Sequence, residues 1–578
     1  MACSARRSVS SACLSGPLSC EEDVRLSIND HQVDLMDIQL GINDQTGDIF
    51  PVESDNKKIM DKQTSYTTLP EIRQYNGADT LFVRNEPYII LAGEIHNSSA
   101  SSLEFMEKNV WPNLEDLNMN TVLLPIYWEQ IEMVEGVFDY SLLDGIIHQA
   151  RRYQKHLVLL WFGLWKNSES MYVPAWMKKN TETYFRSKKV NGEAMNCISP
   201  LCQAAIQKDA NALAHIMAHL KEFDGSENSV IAIQVENEIG LLGTDRDYSD
   251  LAENEFIKII PREIQESFSV EGSWRECFEY DAGEYFMAYH FAKALEFITQ
   301  AAQKEYCLPC YANAWLKQYP WFLGSYPSGG PVASMHRIWK LMAPSLFCLA
   351  PDIYVSYVPQ VMAEYHQDGN PLFIPEVRKD AVTASYALYA FGEHHAIGYS
   401  PFAIEDLALD PKNISRPPAE LMAALNIDPT AFDIEGSKGY ISAVYGLMQN
   451  IKPLYFKYRT TPHLKSFLKK SETDFGVLLN FKGYDFQIAF NPKKPCKPLA
   501  SGMIYEIGEN LFYVIGMMCA INVLPKPGER KIIDILRLEE GDFKDGEWKP
   551  GHTLNGDEKM MLHIGDRLGC YFLELYKY

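Results

Sequence analysis

Eight short, almost continuously apolar runs recur along the middle of the chain, at residues 88–93, 121–128, 156–163, 230–235, 308–316, 352–358, 371–377 and 396–404. They do not alternate apolar with polar residues. A strand that buries one face reads as an alternation, so unbroken runs predict strands covered on both faces, as in a parallel sheet flanked by helices. Between the runs lie stretches of helical character, at 102–117, 142–153, 202–223, 282–306, 335–342, 359–367 and 381–393, and another follows at 440–457. Eight strand-then-helix units specify an α/β fold of the (β/α)8 TIM barrel type far better than an open doubly wound sheet. After about residue 460 the pattern changes to short alternating segments such as 474–481, 485–489 and 531–539, separated by Gly, Pro and Asn. These predict a smaller antiparallel β domain. The chain is thus expected to divide into a tail or irregular arm at 1–70, a barrel at 71–460 and a C-terminal β domain at 461–578.

Charge and cysteine usage narrow the partners. Lys and Arg number 53 against 76 Asp and Glu, a formal net charge of −23. Phosphate backbones and anionic bilayers attract basic patches, so no nucleic acid and no membrane surface is expected as a partner. The longest apolar stretch, 512–524, ends at Pro525 and falls short of the ~18 residues that cross a bilayer. Arg6 and Arg7 precede no continuous apolar segment, so no secretory signal is expected. Cys307 and Cys310 form a CxxC with no second pair and no His cluster at zinc spacing, which predicts buried structural thiols and no metal site. Scattered cysteines suit a reducing compartment, and a cytoplasmic location is expected. A homo-oligomer is compatible with all of this.

In a barrel of this kind the residues that act on a ligand come from the C-terminal strand ends and the loops that follow. Runs four and seven both close on glutamate, as Gln234-Val235-Glu236-Asn237-Glu238 and as Phe373-Ile374-Pro375-Glu376. Two carboxylic groups on different strands facing one mouth are what retaining glycoside hydrolysis requires. One must be protonated to donate to the leaving oxygen, and the other ionised to attack the anomeric carbon. Burial and mutual repulsion push the two pKa values apart and so assign the roles. The flanking residues are too apolar for a solvated charge at either position. Strict alternation places Gln234, Glu236 and Glu238 on one face and Asn237 on the other. A bulge or twist is therefore needed to bring Asn237 and Glu238 both to the mouth, and it leaves Glu236 as a buried partner within the barrel.

The motif QVENEIG at Gln234–Gly240, GEIH at Gly93–His96, and the second unit from Asn120 to Glu132 followed by EGVFD at Glu135–Asp139 resemble clan A glycoside hydrolases, close to the family 35 and family 42 β-galactosidases. LWFGLWKN at Leu160–Asn167 and YPSGGP at Tyr326–Pro331 are similar to the branch whose barrel precedes a domain of unknown function numbered 5597. The resemblance spans about residues 80–460. It implies Glu238 as acid/base, Glu376 as nucleophile, and Asn237 as the partner of the sugar 2-hydroxyl. Around them, Trp128 and Trp165 are candidate aromatic faces for the pyranose, and Glu94, Lys166 and Asn167 candidate hydroxyl partners. Tyr354 or Tyr357, both placed on strand six, is the candidate to hold the nucleophile. The expected activity is a retaining exo-β-galactosidase acting on a β-galactoside or oligosaccharide, with no metal or organic cofactor, since two carboxylic groups and water suffice. The third strand departs from the family in carrying Trp165-Lys166-Asn167 where an Asn-Ala/Gly-Glu sequence is usual, so a β-glucosidase or α-L-arabinopyranosidase is the rival. A carbohydrate-binding barrel without catalysis is disfavoured because both glutamates are present.

Overall fold

The computed structural model describes residues 40–42, 49–51, 68–414 and 416–578, so the expectation of a tail at 1–70 lies almost wholly outside the described residues. Two units are distinct. Of the first, Met1–Ser65, a two-stranded antiparallel pair is described, Leu40–Ile42 with Ile49–Pro51. The second, Tyr66–Tyr578, holds the barrel and the β sheets that follow it.

Eight parallel strands close into a barrel: β1 Ile90–Glu94, β2 Thr121–Tyr127, β3 His156–Lys166, β4 Val230–Asn237, β5 Cys310–Trp315, β6 Leu346–Ile353, β7 Phe373–Val377 and β8 Gly398–Pro401. β8 pairs with β1 and completes the ring. Every residue of β1, β2, β4, β7 and β8 is buried. Side chains pointing inward fill the barrel and those pointing outward meet helices, which is why the runs do not alternate. The longest connecting helices are Gln203–Phe223 and Ala282–Glu305.

Two predicted elements are corrected. Run six was placed at 352–358, but β6 is Leu346–Ile353 and Val358 already opens the helix Val358–Tyr365. Pro351 lies inside the strand and pairs with Ala314; proline is rare in central strands because it cannot donate to the ladder, so the sequence reads as though the strand begins after it. The helix expected at 102–117 is broken into short α pieces around a π turn, Met106–Val110.

The C-terminal strands are β9 Leu464–Leu468, β10 Gly476–Asn480, β11 Asp485–Phe490, β12 Ser501–Gly508, β13 Leu511–Met517, β14 Cys519–Leu524, β15 Ile533–Lys544, β16 Glu547–Thr553, β17 Leu562–Ile564 and β18 Gly569–Lys577. They form an antiparallel six-stranded sheet in the order β9-β12-β13-β18-β15-β16 and a four-stranded sheet in the order β10-β11-β14-β17. The helix Thr383–His394 is buried on almost every side, as a helix sandwiched between two layers must be. Its Ser385 hydroxyl donates to Leu499 O (3.1 Å), Ser466 donates to Glu393 (2.7 Å), and a Cβ at Gly392 would meet Ser466 and Met503 at 2.8–2.9 Å. Glycine is needed there for the barrel and the six-stranded sheet to approach.

Among the described residues no helix is long and apolar enough to cross a membrane. Cys310 is buried at the start of β5, whereas Cys307 is exposed, against the expectation that both thiols are buried.

Candidate active site

The end of β4 carries the bulge that its sequence demands. Pairing with β3 shifts register between Val235 and Asn237, and Glu236 and Glu238 adopt φ of +62° and +45° on either side of Asn237. Left-handed backbone at a non-glycine residue costs about 1–3 kcal/mol, and it persists only where the surroundings hold it. Here they do. The Glu236 carboxyl accepts from the backbone N–H of Leu164 (3.0 Å) and Trp165 (2.6 Å), Gln234 Nε2 donates to Glu236 O (3.0 Å), and Glu238 N–H donates to Asn313 Oδ1 (3.0 Å). Glu236 is thus the buried inner partner. It shares a hydrogen bond with the buried Asp209 carboxyl, and burial pushes both carboxyls above their ordinary range. Asp209 also accepts from Trp161 Nε1 (2.7 Å) and Leu164 N–H (2.9 Å). A Cβ at Gly163 would lie 2.6 Å from both carboxyls. That pair fixes the end of β3, where Lys166 and Asn167 emerge.

Two segments with distinctive sequences pack on each other beyond Glu238. Leu241 and Ser328 exchange backbone hydrogen bonds of 2.9 Å. A Cβ at Gly240 would strike the Pro327 carbonyl at 2.5 Å, and one at Gly330 would strike Ile239 O at 2.1 Å. The glycines in QVENEIG and YPSGGP permit this approach.

Glu238 and Glu376 line one cavity of about 220 Å³ together with Lys166, Asn167, Asp352 and Tyr354. Register sets the row: Trp315 opposes Asp352 across β5 and β6, and Asp352 opposes Glu376 across β6 and β7. Tyr354 OH donates to Glu376 Oε1 at 2.5 Å. Asn313 Nδ2 donates to Asp352 Oδ2 (2.7 Å) and to Asn237 Oδ1 (3.2 Å). Asn237 is wholly buried, with further bonds to Gln234 and Asn167.

Four carboxyls, Glu94, Glu238, Asp352 and Glu376, share this buried region with the ammonium of Lys166. Burial pushes all four upward, and Lys166 pulls each of them down. Glu238 is pushed up to about 8, by burial and then by the negative charge of Glu376, despite its hydrogen bond with Asp352. Glu376 is raised by burial and is held down by Lys166 and by the Tyr354 hydroxyl. The asymmetry favours a neutral Glu238 beside an ionised Glu376.

Several expected contacts are corrected. Trp128 is fully buried with its indole N–H on Glu132 (2.7 Å), and Trp165 is fully buried with its N–H on Ile198 O (2.9 Å). Both indoles belong to the barrel wall and neither lines the cavity. Tyr354 and Tyr357 follow β6 rather than lying on it; Tyr354 reaches Glu376, while Tyr357 is exposed and lines a different groove. Glu94 is buried with Oε1 unpartnered, within the field of Glu376 rather than on the cavity surface.

Other residues went unpredicted. Trp315, Phe402 and Phe432 supply the aromatic walls. Asn313, Trp315 and Asp352 all lie at C-terminal strand ends; run five already put the first two there, and correct limits for β6 would have revealed Asp352. Phe432 arrives from a long segment after β8. Buried Arg378 ties that segment to the mouth through Asp380 (2.7 and 2.8 Å), Asp428 (2.9 Å) and Thr430 (2.8 Å), and Asp428 N–H donates to Tyr354 O (2.8 Å).

The closed (β/α)8 barrel thus carries a buried carboxyl pair at the ends of its fourth and seventh strands. The model of glycosyl hydrolases family 35 matches residues 80–307, and that of a domain of unknown function (DUF5597) matches residues 441–565. Over residues 80–307 the chain is similar to glycosyl hydrolases family 35, and this match supports a glycoside hydrolase. The match includes Glu238 and ends before β5, so Glu376 lies outside it. Solved structures similar to the chain include the catalytic domain of a β-amylase from Paenibacillus polymyxa, at 11% identity and TM-score 0.43, covering 60% of this chain and 98% of that one. A β-galactosidase from Rahnella sp. R3 has 12% identity and TM-score 0.43, covering 64% of this chain and 57% of its own. Another from Marinomonas ef1 has 10% identity and TM-score 0.43, with 63% and 60% covered. No curated protein matches the chain in sequence.

Removing the Tyr354 hydroxyl offers a direct check on how Glu376 is held. A hydrogen bond to a charged group contributes about 1.5–3 kcal/mol, so Tyr354→Phe should lower kcat/KM by about 10- to 100-fold. Loss of the donor also raises the pKa of Glu376, so the acid limb of the pH profile should move to higher pH. A variant with an unshifted acid limb would contradict this contact.

Proposed function

We propose that the protein is a retaining exo-β-galactosidase that removes terminal β-galactosyl groups by double displacement. The observation that carries this reading is the pair Glu238 and Glu376 on one small cavity, with Glu238 raised by burial and by the charge of Glu376, and Glu376 hydrogen-bonded by Tyr354. Glu376 attacks the anomeric carbon while Glu238 protonates the leaving oxygen. Glu238, now ionised, then takes a proton from water, which attacks the glycosyl ester and releases the sugar with its configuration retained. In this reading Lys166, Asn167 and Asn97, on the cavity wall, bind sugar hydroxyls, and Trp315 and Phe402 pack against ring C–H faces. A cavity of about 220 Å³ suits one terminal sugar rather than an internal segment of a chain.

The purified protein incubated with a panel of nitrophenyl glycosides tests this reading. It should release nitrophenol from the β-galactoside at least about tenfold faster, in kcat/KM, than from the β-glucoside or the α-L-arabinopyranoside, a preference of about 1.4 kcal/mol. A preference for either of the others would reassign the sugar, and inactivity on all would remove the reading.

The pH profile of kcat/KM follows from the two groups. Turnover needs Glu376 ionised and Glu238 protonated, so activity should be lost as pH falls through the Glu376 pKa and as pH rises through about 8, where Glu238 deprotonates. Initial rates at low substrate concentration across pH 4–10 check this, and a basic limb near pH 5 would contradict the assignment of Glu238.

A further inference from the structure

Beside the catalytic cavity lies a second groove of about 360 Å³, and Leu316 forms part of the wall of both. Its most prominent groups are Trp321 and Tyr357, with relative exposures of 59% and 39%. Contiguous exposed apolar patches mark binding surfaces, and Tyr319 and Phe322, near Trp321 in the chain, are exposed as well. Trp321 has φ +59°, a left-handed conformation uncommon for so bulky a residue, which the surroundings must hold. The segment that carries it is anchored from both sides. Lys317 pairs with the buried Glu284 (2.9 Å), and Tyr326 OH donates to the same carboxylate (2.8 Å). Gln318 donates to Leu425 O, and Asn426 donates to Tyr319 O, tying it to the segment after β8. The indole is therefore presented outward from a braced backbone.

We propose that this groove binds the leaving-group side of the substrate: the first sugars beyond the scissile bond in a galactosyl-terminated oligosaccharide. The inference rests on the β-galactosidase reading and names the substrate class that reading leaves open. A terminal galactose seated on Glu376 must direct its aglycone out of the cavity, and the groove that begins across Leu316 lies next to it. Flat aromatic faces match the C–H faces of pyranose rings. Exposed Ser334 and Gln367 on the rim suit hydroxyls. Lys317 is neutralised by Glu284, so Glu364 is the one uncompensated charge among the lining residues, which leaves the groove weakly charged and suited to a neutral saccharide. A groove of this volume accommodates sugar rings and is too small for a folded protein.

The test is the ratio of kcat/KM between galactosyl-terminated tetrasaccharides, supplied as a set that differs in terminal linkage, and methyl β-galactoside. For the wild-type protein at least one tetrasaccharide should exceed methyl β-galactoside by about tenfold or more. Each aromatic contact is worth about 3- to 10-fold, so Trp321→Ala and Tyr357→Ala should each lower that ratio by this amount, mainly through KM. Trp321→Phe should recover most of the loss. A wild-type ratio near unity for every tetrasaccharide, or variants that leave the ratio unchanged, would overturn the groove assignment while β-galactosidase activity stands. Failure of the wild type to cleave methyl β-galactoside and every tetrasaccharide would instead overturn the reading on which it rests.

Discussion

Glu376→Gln should reduce turnover of β-galactosides by at least about 10⁴-fold, the scale on which enzymes lose rate when a nucleophile is removed. The amide has the size of the carboxylate it replaces, its oxygen can still accept from Tyr354 OH, and the side chain stays in the same buried position. The fold should therefore survive, and thermal unfolding should show a Tm close to wild type. What is lost is the electron pair that attacks the anomeric carbon. Supplying a small nucleophile to a shortened variant should restore part of the first step: azide added to Glu376→Gly should yield an α-galactosyl azide, inverted relative to the substrate. Near wild-type rates for Glu376→Gln would remove Glu376 from the role.

The second large effect concerns Glu238 and depends on the leaving group. Protonation matters most when the departing oxygen is strongly basic, so Glu238→Ala should lose about 10²–10⁴-fold on alkyl galactosides, the usual worth of a positioned general acid. Activated aryl galactosides, whose phenolate leaves unaided, should still glycosylate Glu376 at a far less reduced rate. Hydrolysis of the resulting ester also needs Glu238, as the base that activates water, so the intermediate should accumulate and produce a burst of phenolate. Azide should discharge it as a β-galactosyl azide. Equal losses on aryl and alkyl substrates would reduce Glu238 to a positioning residue. The buried, hydrogen-bonded placement of Glu236 makes it a poor replacement, and Asp352, on the same cavity, would then be the acid to test.

The barrel was legible because its strands are covered on both faces, and such strands announce themselves as unbroken apolar runs. β6 was displaced for a local reason, Pro351 within the strand, and that displacement hid Asp352 by making a strand end look like a strand start. The apolar stretch 512–524 conceals a different feature. It is two strands, β13 and β14, that meet at Met518 with φ +55°, without the Gly or Asn that ordinarily signals such a corner.

At the site, Glu238 and Glu376 could be found because a glutamate closing an apolar run has no easy place in water. A bulge at Glu236–Glu238 is expected if Asn237 and Glu238 are both to reach the mouth; the register shift and two positive φ values are present, and Glu238 lines the cavity while Asn237 stays buried off its surface. Trp128 and Trp165 misled because position near a strand end does not say which way an indole turns. Both turn into the wall, on Glu132 and Ile198. Arg378 meets Asp428 and Thr430 across some fifty residues, and Phe432 stacks on Tyr354 from the same distant segment; no local pattern encodes those meetings.

The central claim is that Glu376 carries the sugar covalently. It is tested most directly with a 2-deoxy-2-fluoro β-galactoside bearing a dinitrophenolate leaving group. Fluorine at C2 disfavours the positive charge that develops at the anomeric carbon in both steps, while the good leaving group speeds only the first, so a glycosyl-enzyme should persist. Proteolysis and mass spectrometry of the inactivated protein should find one added fluorogalactosyl group, on the peptide containing Glu376. A label on Glu238 or on any other side chain, or an unlabelled protein that releases galactose of inverted configuration from ordinary substrates, would contradict it.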